Sequence, residues 1–328
     1  MKTTMRVGFT YDLRDEYIAE GMSIEEAAEF DKPATIDAID STLTELGFRV
    51  DRIGNLRALA KRLVAGGRWD IVFNIAEGRS GFAREAQIPA LLEGYGIPCV
   101  FSDALTLSLC LHKGHAKRIV RDSGLRTPGF ILVEDDDARP DLSGLAFPLF
   151  AKPVAEGTGK GVSVKGMIRD AAALGEVASN LLERFRQPVL VEEFLPGREF
   201  TVGIVGTGAG ARVLGTMEIL LLESADPLAY TFDNKDQYLN RVRYILADDA
   251  QAGAAAELAL DCYRVLGCRD GGRVDIRSDA DEKPHFMEVN PLAGLDPVNS
   301  DLPIICGLKG IGYRQLLGWI MDSALERL

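Results

Sequence analysis

The segment Arg273-Val-Asp-Ile-Arg-Ser-Asp-Ala-Asp-Glu-Lys-Pro-His-Phe-Met-Glu-Val-Asn290 reads as two strands joined by a polar turn. Alternate residues of a strand point the same way, so Asp275 shares a face with Arg273 and Arg277, and Glu288 shares one with Asn290. Val274, Ile276, Phe286, Met287 and Val289 alternate with these polar positions, as a half-buried strand requires. Pairing the strands across Ser278-Asp-Ala-Asp-Glu-Lys-Pro284 brings three hard oxygen ligands together. Two carboxylates about 4 Å apart repel by roughly 4 kcal/mol at an effective dielectric near 20, so a cation belongs between them, with magnesium the natural candidate. The simpler alternative, an exposed acidic hairpin, leaves the apolar alternation unexplained.

The 328 residues are 47% hydrophobic, enough for two or three packed units. A net charge of −12 and a pI near 4.9 argue against nucleic acid and anionic membrane as partners, so a bound polyphosphate needs a locally positive pocket. No apolar run approaches the roughly 18 residues that span a bilayer. The start MKTTMRVGFT runs into a strand without a signal-peptide core, which makes the cytoplasm the expected compartment. The five cysteines (99, 110, 262, 268 and 306) have scattered spacing and read as small buried apolar residues. His112 and His115 form H-x-x-H without a third ligand and read as a solvated helix face.

Strand-like and helix-like runs alternate through the first hundred residues: MRVGFTY, a helix over about 23–46, FRVDRIG, a helix over 56–64, WDIVFNIA, the helical EAQIPALLEGY, and the short strand IPCVF. That order predicts an α/β chain opening with a parallel, βαβ-wound domain over 1–104. A central part over 105–195 carries Lys113 and Lys117 on a helix, an acidic loop at 134–137, the strand FPLFAKP and a helix over 170–186. The last part, 196–328, holds FTVGIVG, a hairpin turn at GTGAG (206–210), ARVLGTMEIL, a helix over 250–266 and the hairpin quoted above.

Phe147-Pro-Leu-Phe-Ala-Lys-Pro-Val-Ala-Glu-Gly-Thr-Gly-Lys-Gly-Val162 ends a strand on Lys152 and continues into a glycine-rich loop. Glycine admits backbone N–H groups close to phosphate oxygens, and the lysine adds charge on the approach. Lys160 is followed by Gly161 and strand-like Val162-Ser-Val164, so this is not a Walker A loop; no G-x-G-x-x-G follows the first strand either. An ordinary glycine-rich hairpin is the competing reading. In Val191-Glu-Glu-Phe-Leu-Pro-Gly-Arg-Glu199, backbone groups beside Phe194 and Leu195 offer an edge for a flat purine and Glu199 an acceptor for ribose hydroxyls, against a plain solvated connection.

Taken in order, the lysine-bearing helix, the strand-Lys-Pro-Gly loop, E-E-F-L-P-G-R-E and the D-I…E-V-N-P hairpin resemble the ATP-grasp superfamily and, within it, the D-alanine:D-alanine ligase family, from about Trp69 to Pro303. The resemblance implies two ATP-grasp subdomains that sandwich ATP. Lys113, Lys152 and the loop Glu156, Gly157, Thr158, Gly159 and Gly161 would meet the phosphates. Glu192, Glu193, Phe194 and Leu195 would edge the adenine, with Glu199 on the ribose. Asp275, Glu288 and Asn290 would hold two Mg2+ ions, and Arg273 with the backbone N–H of Gly294 would stabilise the tetrahedral oxyanion. Lys235, in TFDNKDQY, corresponds to the family's lid lysine at altered spacing, with Tyr238 keeping a tyrosine. Family members are often homodimers.

The substrate-facing motifs depart from the family. VGFTYDLRDEY replaces the glycine, serine and glutamate motif that holds an ammonium, leaving Asp12, Asp15 or Glu16 as substitutes without matching spacing. NIAEGRSGFAREAQ replaces the family's His-Gly loop, and after Gly294 stand Asn299, Ser300, Asp296 and Asp301, acid that suits a cationic acceptor. The expected activity is an ATP-dependent carboxylate–amine ligase that joins amino acids or small peptides through an acyl phosphate. The alternatives are D-alanine:D-alanine synthesis itself, a nucleotide-binding regulator without turnover, and a phosphotransferase that stops at the phosphorylated product.

Overall fold

A computed structural model describes residues 4–135, 140–222 and 241–328. The first sheet has three parallel strands in the order β2-β1-β3: β1 (Arg6–Thr10), β2 (Arg49–Gly54) and β3 (Ile71–Asn74). Val7, Phe9, Ile71 and Phe73 are buried with Ile36, Ile39 and Leu43 of the helix Pro33–Glu45 and with Leu316, Leu317 and Ile320 of the helix Tyr313–Leu325. The end of the chain therefore completes the core of its beginning.

The other two sheets are antiparallel. The four-stranded one runs β4-β7-β5-β6, from β4 (Phe130–Val133), β5 (Leu149–Pro153), β6 (Met167–Ile168) and β7 (Val189–Glu193). Leu149, Ala151, Val189 and Val191 pack on the helix Ala171–Phe185, and strand alternation sends Lys152 and Glu192 to the opposite face. The five-stranded one runs β10-β9-β8-β11-β12, from β8 (Glu199–Val205), β9 (Arg212–Leu221), β10 (Val242–Leu246), β11 (Gly271–Ser278) and β12 (Pro284–Asn290). Phe200, Val202, Val274, Ile276, Phe286 and Val289 are buried with the helices Lys113–Asp122 and Ala250–Val265. A parallel sheet followed by two antiparallel ones is the α/β and α+β architecture expected from the sequence.

Several local expectations need correction. The helix over 23–46 is broken: a 3₁₀ turn at Glu26–Glu29 is followed by extended backbone at Phe30 and Lys32, and the helix starts at Pro33. Proline disfavours helical backbone in the residue before it and suits the first helical turn. Ile97–Phe101 forms only a single bridge, Cys99 to Val72. Val162–Val164 is not a strand; a 3₁₀ turn, Val164–Gly166, leads into β6. His112 is buried rather than solvated, and its Nδ1 accepts the His115 N–H at 3.2 Å to cap the helix that follows. Its imidazole is pushed down to about 4 by burial and by His115. Residues 223–240, including Lys235 and Tyr238, and residues 136 and 137 of the acidic run lie outside the described residues.

Candidate active site

Asp275 and Glu288 are direct cross-strand partners, as are Arg273 and Asn290. A bulge makes this possible, because the register passes from Asp275–Glu288 to Ile276–Phe286 and leaves Met287 as the extra residue. Phe286 and Glu288 would otherwise share a face. With the bulge, Phe286 is buried in the core while Met287 and Glu288 line a cleft, so Met287 is not the core residue its spacing suggested. Asp275 accepts hydrogen bonds from Thr201 Oγ1 at 2.9 Å and Arg273 Nη1 at 2.7 Å. Arg273 also lies 3.4 Å from Asp301, so the same-strand ion pair is present and the guanidinium still lines a cavity.

Across the cleft, three buried charges meet. The Glu192 carboxylate is 2.8 Å from Lys117 Nζ and 2.7 Å from Lys152 Nζ. Burial opposes ionisation of Glu192, yet the two ammonium groups outweigh it and hold the carboxyl below its usual range. Burial lowers Lys117 to about 8, whereas for Lys152 the attraction of Glu192 exceeds the burial penalty. Lys117 is fully buried and also donates to Thr127 Oγ1 and the Phe286 carbonyl, so it braces the two antiparallel sheets. Lys113 donates to the Glu156 carbonyl at 2.6 Å and lies 3.4 Å from Glu288.

The glycine loop is tied to the N-terminal part of the chain. Glu29 accepts the Gly157 N–H at 2.8 Å and pairs with Lys160 and Arg84, both at 3.1 Å. Burial opposes the charge on Glu29, but these two cations hold its carboxyl below the ordinary range. Glu29, Arg84 and Lys160 were not among the expected site residues. The contact joins segments more than a hundred residues apart, for which no local pattern exists.

Two cavities meet here. One, of about 100 Å³, is lined by Lys152, Gly159, Glu192, Glu193, Phe194, Leu195, Glu199 and Asp275. The other, of about 420 Å³, is lined by Gly157, Thr158, Arg273, Asn290, Gly294 and the acids Asp296 and Asp301. Lys113, Glu156 and Glu288 line both. Of the expected residues, Gly161 lines neither; its positive φ of 76° turns the loop, and a Cβ there would lie 2.5 Å from Pro153. Glu193 accepts the N–H groups of Gly129 and Ala146 with its carboxylate, and Arg277 stacks on Phe194 at 4.9 Å. Asp12, Asp15 and Glu16 do not line the large cavity: Asp12 is buried and bonded to Tyr17 and the Gly78 N–H, and the other two are exposed.

The donor set suits a hard cation only with help from a ligand. Among the described residues no three His, Cys, Asp or Glu side chains converge as a metal cage. Two facing carboxylates and one amide are what magnesium takes from a protein when phosphate oxygens and water complete its octahedron. Asn290 Nδ2 and Thr158 Oγ1 are buried without hydrogen-bond partners among the described residues, two donors that ligand oxygens would satisfy.

A profile of the family described as D-ala D-ala ligase C-terminus matches residues 119–322, more than half of the chain. The chain belongs to the D-alanine–D-alanine ligase family. The D-alanine–D-alanine ligase of Bordetella petrii is 34% identical over 273 residues, 82% of this chain and 79% of that protein. That of Xanthomonas axonopodis pv. citri is 29% identical over 287 residues, 85% of each. Among solved structures, the Bacillus anthracis D-alanine–D-alanine ligase complexed with ATP has a TM-score of 0.75 at 23% identity, covering 99% of this chain and 98% of that one. The VanG D-Ala:D-Ser ligase from Enterococcus faecalis has a TM-score of 0.74 at 19% identity, covering 98% and 100%. The structural likeness establishes the ATP-grasp fold, and membership in the ligase family makes the chain an ATP-dependent, C–N bond-forming ligase.

One acid of this ligase family member's large cavity has a measurable consequence for stability. Burial pushes Glu85 up to about 7 from an ordinary 4.5, against the pull of Arg84 and with Glu29 adding to the rise. Between those values the folded chain keeps a proton that the unfolded chain has shed, so stability from this group falls as pH rises from about 4.5 to about 7. Glu85→Gln is expected to raise the unfolding free energy by roughly 2–3 kcal/mol at pH 8 and to leave it nearly unchanged at pH 4.5, read from urea titrations at both pH values.

Proposed function

We propose that this ligase activates the carboxylate of an amino acid or small peptide as an acyl phosphate and joins it to an amine, releasing ADP and phosphate, with a substrate pair other than two D-alanines. The observation that carries the reading is the wall shared by the two cavities. Lys113, Glu156 and Glu288 stand where a terminal phosphate held from one side would meet a carboxylate held from the other. Lys152 and the glycine loop bind and orient the phosphates, the strip Glu192–Leu195 edges the base, and Glu199 takes the ribose. Asp275, Glu288 and Asn290 would hold one or two Mg2+ ions, which shield the charge of the phosphate oxygens during transfer. Arg273 and the Gly294 N–H then face the oxyanion formed when the amine adds to the carbonyl carbon, a role typically worth about 3–4 kcal/mol per donor. A Cβ at Gly294 would lie 2.7 Å from Ser300 Oγ, which favours glycine at this wall.

D-Alanine:D-alanine synthesis is the second reading, favoured by the name and identity of the Bordetella petrii relative. The acids Asp296 and Asp301 on the acceptor side, which repel a free carboxylate, support the first. Phosphate release with ATP, magnesium and a panel of single amino acids and amine pairs separates them. Turnover requiring a mixed pair supports the first reading, and brisk turnover on D-alanine alone overturns it in favour of the second. ADP formation without an amide product would instead indicate a phosphotransferase, and no ADP with any pool a nucleotide-binding regulator.

A further inference from the structure

The loop from Glu77 to Glu85 places two carboxylates on the wall of the 420 Å³ cavity. Glu77 follows β3, and Glu85 stands two residues before the helix Gln87–Gly94. Gly78 folds them toward each other: its φ is +73°, and a Cβ there would fall 2.3 Å from the Arg84 carbonyl oxygen, so no other residue fits without displacing that backbone. Each carboxylate is close enough to the other to raise the pH at which Glu77 ionises, though burial is the larger cause.

Among the described residues neither side chain makes a hydrogen bond or a close ion pair, and Glu85 is only 9% exposed; Arg84 attracts both and Lys113 attracts Glu85, but burial outweighs them. Other acids on the same wall are answered from within the protein: Glu29 by Arg84 and Lys160, Asp301 by Arg273, Glu288 by Lys113. Among the described residues Asp296 receives neutral donors, the N–H groups of Val298 and Asn299, the Asn299 side-chain amide and the Thr35 hydroxyl. Among the described residues the Asp31 carboxylate makes no hydrogen bond or close ion pair, and burial with Asp296 raises its ionisation to about 7 against the pull of Arg14. Where burial outweighs the cations nearby, an acid keeps its proton near neutral pH, and a ligand cation placed beside it lets it ionise. The α-ammonium of one amino acid answers one carboxylate and brings a carboxylate of its own. Counted over the described residues, the cavity wall carries eight acids against the five cations Arg14, Lys32, Arg84, Lys113 and Arg273, so a second positive charge on a ligand would let Glu77 and Glu85 release the protons that burial makes them keep.

We propose that Glu77 and Glu85 form a cation subsite, and that a substrate of this ligase carries a second positive charge, as a basic or diamino acid does. The identification of the cavity as the substrate cavity rests on the ligase reading above; the cation subsite itself rests on two acids side by side on the cavity wall that no close ion pair closes. The test is calorimetric titration of the full chain, with magnesium and the non-hydrolysable analogue adenylyl imidodiphosphate, by lysine and by norleucine of each hand. These ligands differ only in the terminal ammonium. Lysine of one hand is expected to bind at least tenfold more tightly than norleucine, and Glu85→Gln or the pair Glu77→Gln/Glu85→Gln to erase that preference. Urea midpoints of the variants at pH 7 check that they are folded. Equal affinities, binding of neither ligand, or a preference that survives the double substitution overturns the proposal. A lysine preference without phosphate release on any amine leaves the subsite standing and sinks the ligase reading; phosphate release on alanine with no lysine preference does the reverse.

Discussion

Glu288→Gln is expected to lower kcat on the order of a hundredfold or more, about 3 kcal/mol of lost transition-state stabilisation, while leaving the fold intact. The side chain is a quarter exposed, lies on the wall common to both cavities, and pairs only loosely with Lys113 at 3.4 Å, so glutamine keeps the shape and removes the charge. If this carboxylate helps to hold magnesium, activity that remains will require higher magnesium concentrations than the wild type does. Asp275→Asn is expected to show the same loss of turnover and the same magnesium dependence, with an added loss of stability because Asp275 is also the ion-pair partner of Arg273. A magnesium titration of ADP formation reads both effects, and chelation of the metal should abolish wild-type turnover reversibly. Activity within about threefold of wild type in Glu288→Gln, with an unchanged magnesium dependence, would remove the metal from its assigned residues.

Glu192→Gln should be the more damaging change to the fold. It leaves Lys117 and Lys152 buried side by side with no anion between them, and breaking a buried pair from one side typically costs about 3–5 kcal/mol. Lys117→Met is expected to cost less, because it leaves Lys152 and Glu192 as a one-to-one pair. The pH dependence carries a sign that checks the assignment. Glu192 is held below its ordinary 4.5, so its contribution is present above that value and is lost as pH falls through the lower, folded one. Lys117, lowered to about 8 from 10.5, makes the unfolded chain the better proton binder between those values, so its effect on stability improves as pH rises through that window. Urea unfolding of the two variants and the wild type at pH 4, 7 and 9.5 would measure all of this. Equal losses in the two variants would mean that the three charges do not act as a unit.

The parts of the fold legible beforehand are those with local causes. The helices Leu56–Val64, Ala171–Phe185 and Ala250–Val265 fall where they were expected because Asn55, Asp170 and Asp249 accept the first free backbone N–H groups. The cleft faces of β5 and β7 follow from a period of two, which puts Lys152 and Glu192 opposite the apolar Leu149, Ala151, Val189 and Val191. Pro33 is a local stop and start signal inside a stretch whose helical pattern runs continuously across it. The acid and cation that hold the glycine loop down, Glu29 and Lys160, had no such signal.

By itself the sequence determined which chemistry was available: acids and an amide at alternating strand positions, lysines at strand and helix ends, and glycines in a loop whose backbone can admit phosphate. It also determined the family, since those motifs occur in one order along one chain. Tertiary structure alone decided that Glu288 faces the cleft, because parity would have placed it beside Phe286 and only the bulge at Met287 turns it round. It alone decided that Glu77 and Glu85, rather than Asp12, Asp15 or Glu16, line the large cavity. The physical reason is range. Strand alternation and helix capping act over a few residues and are written locally, whereas register, charge pairing and cavity walls depend on which distant segments the packed core brings together.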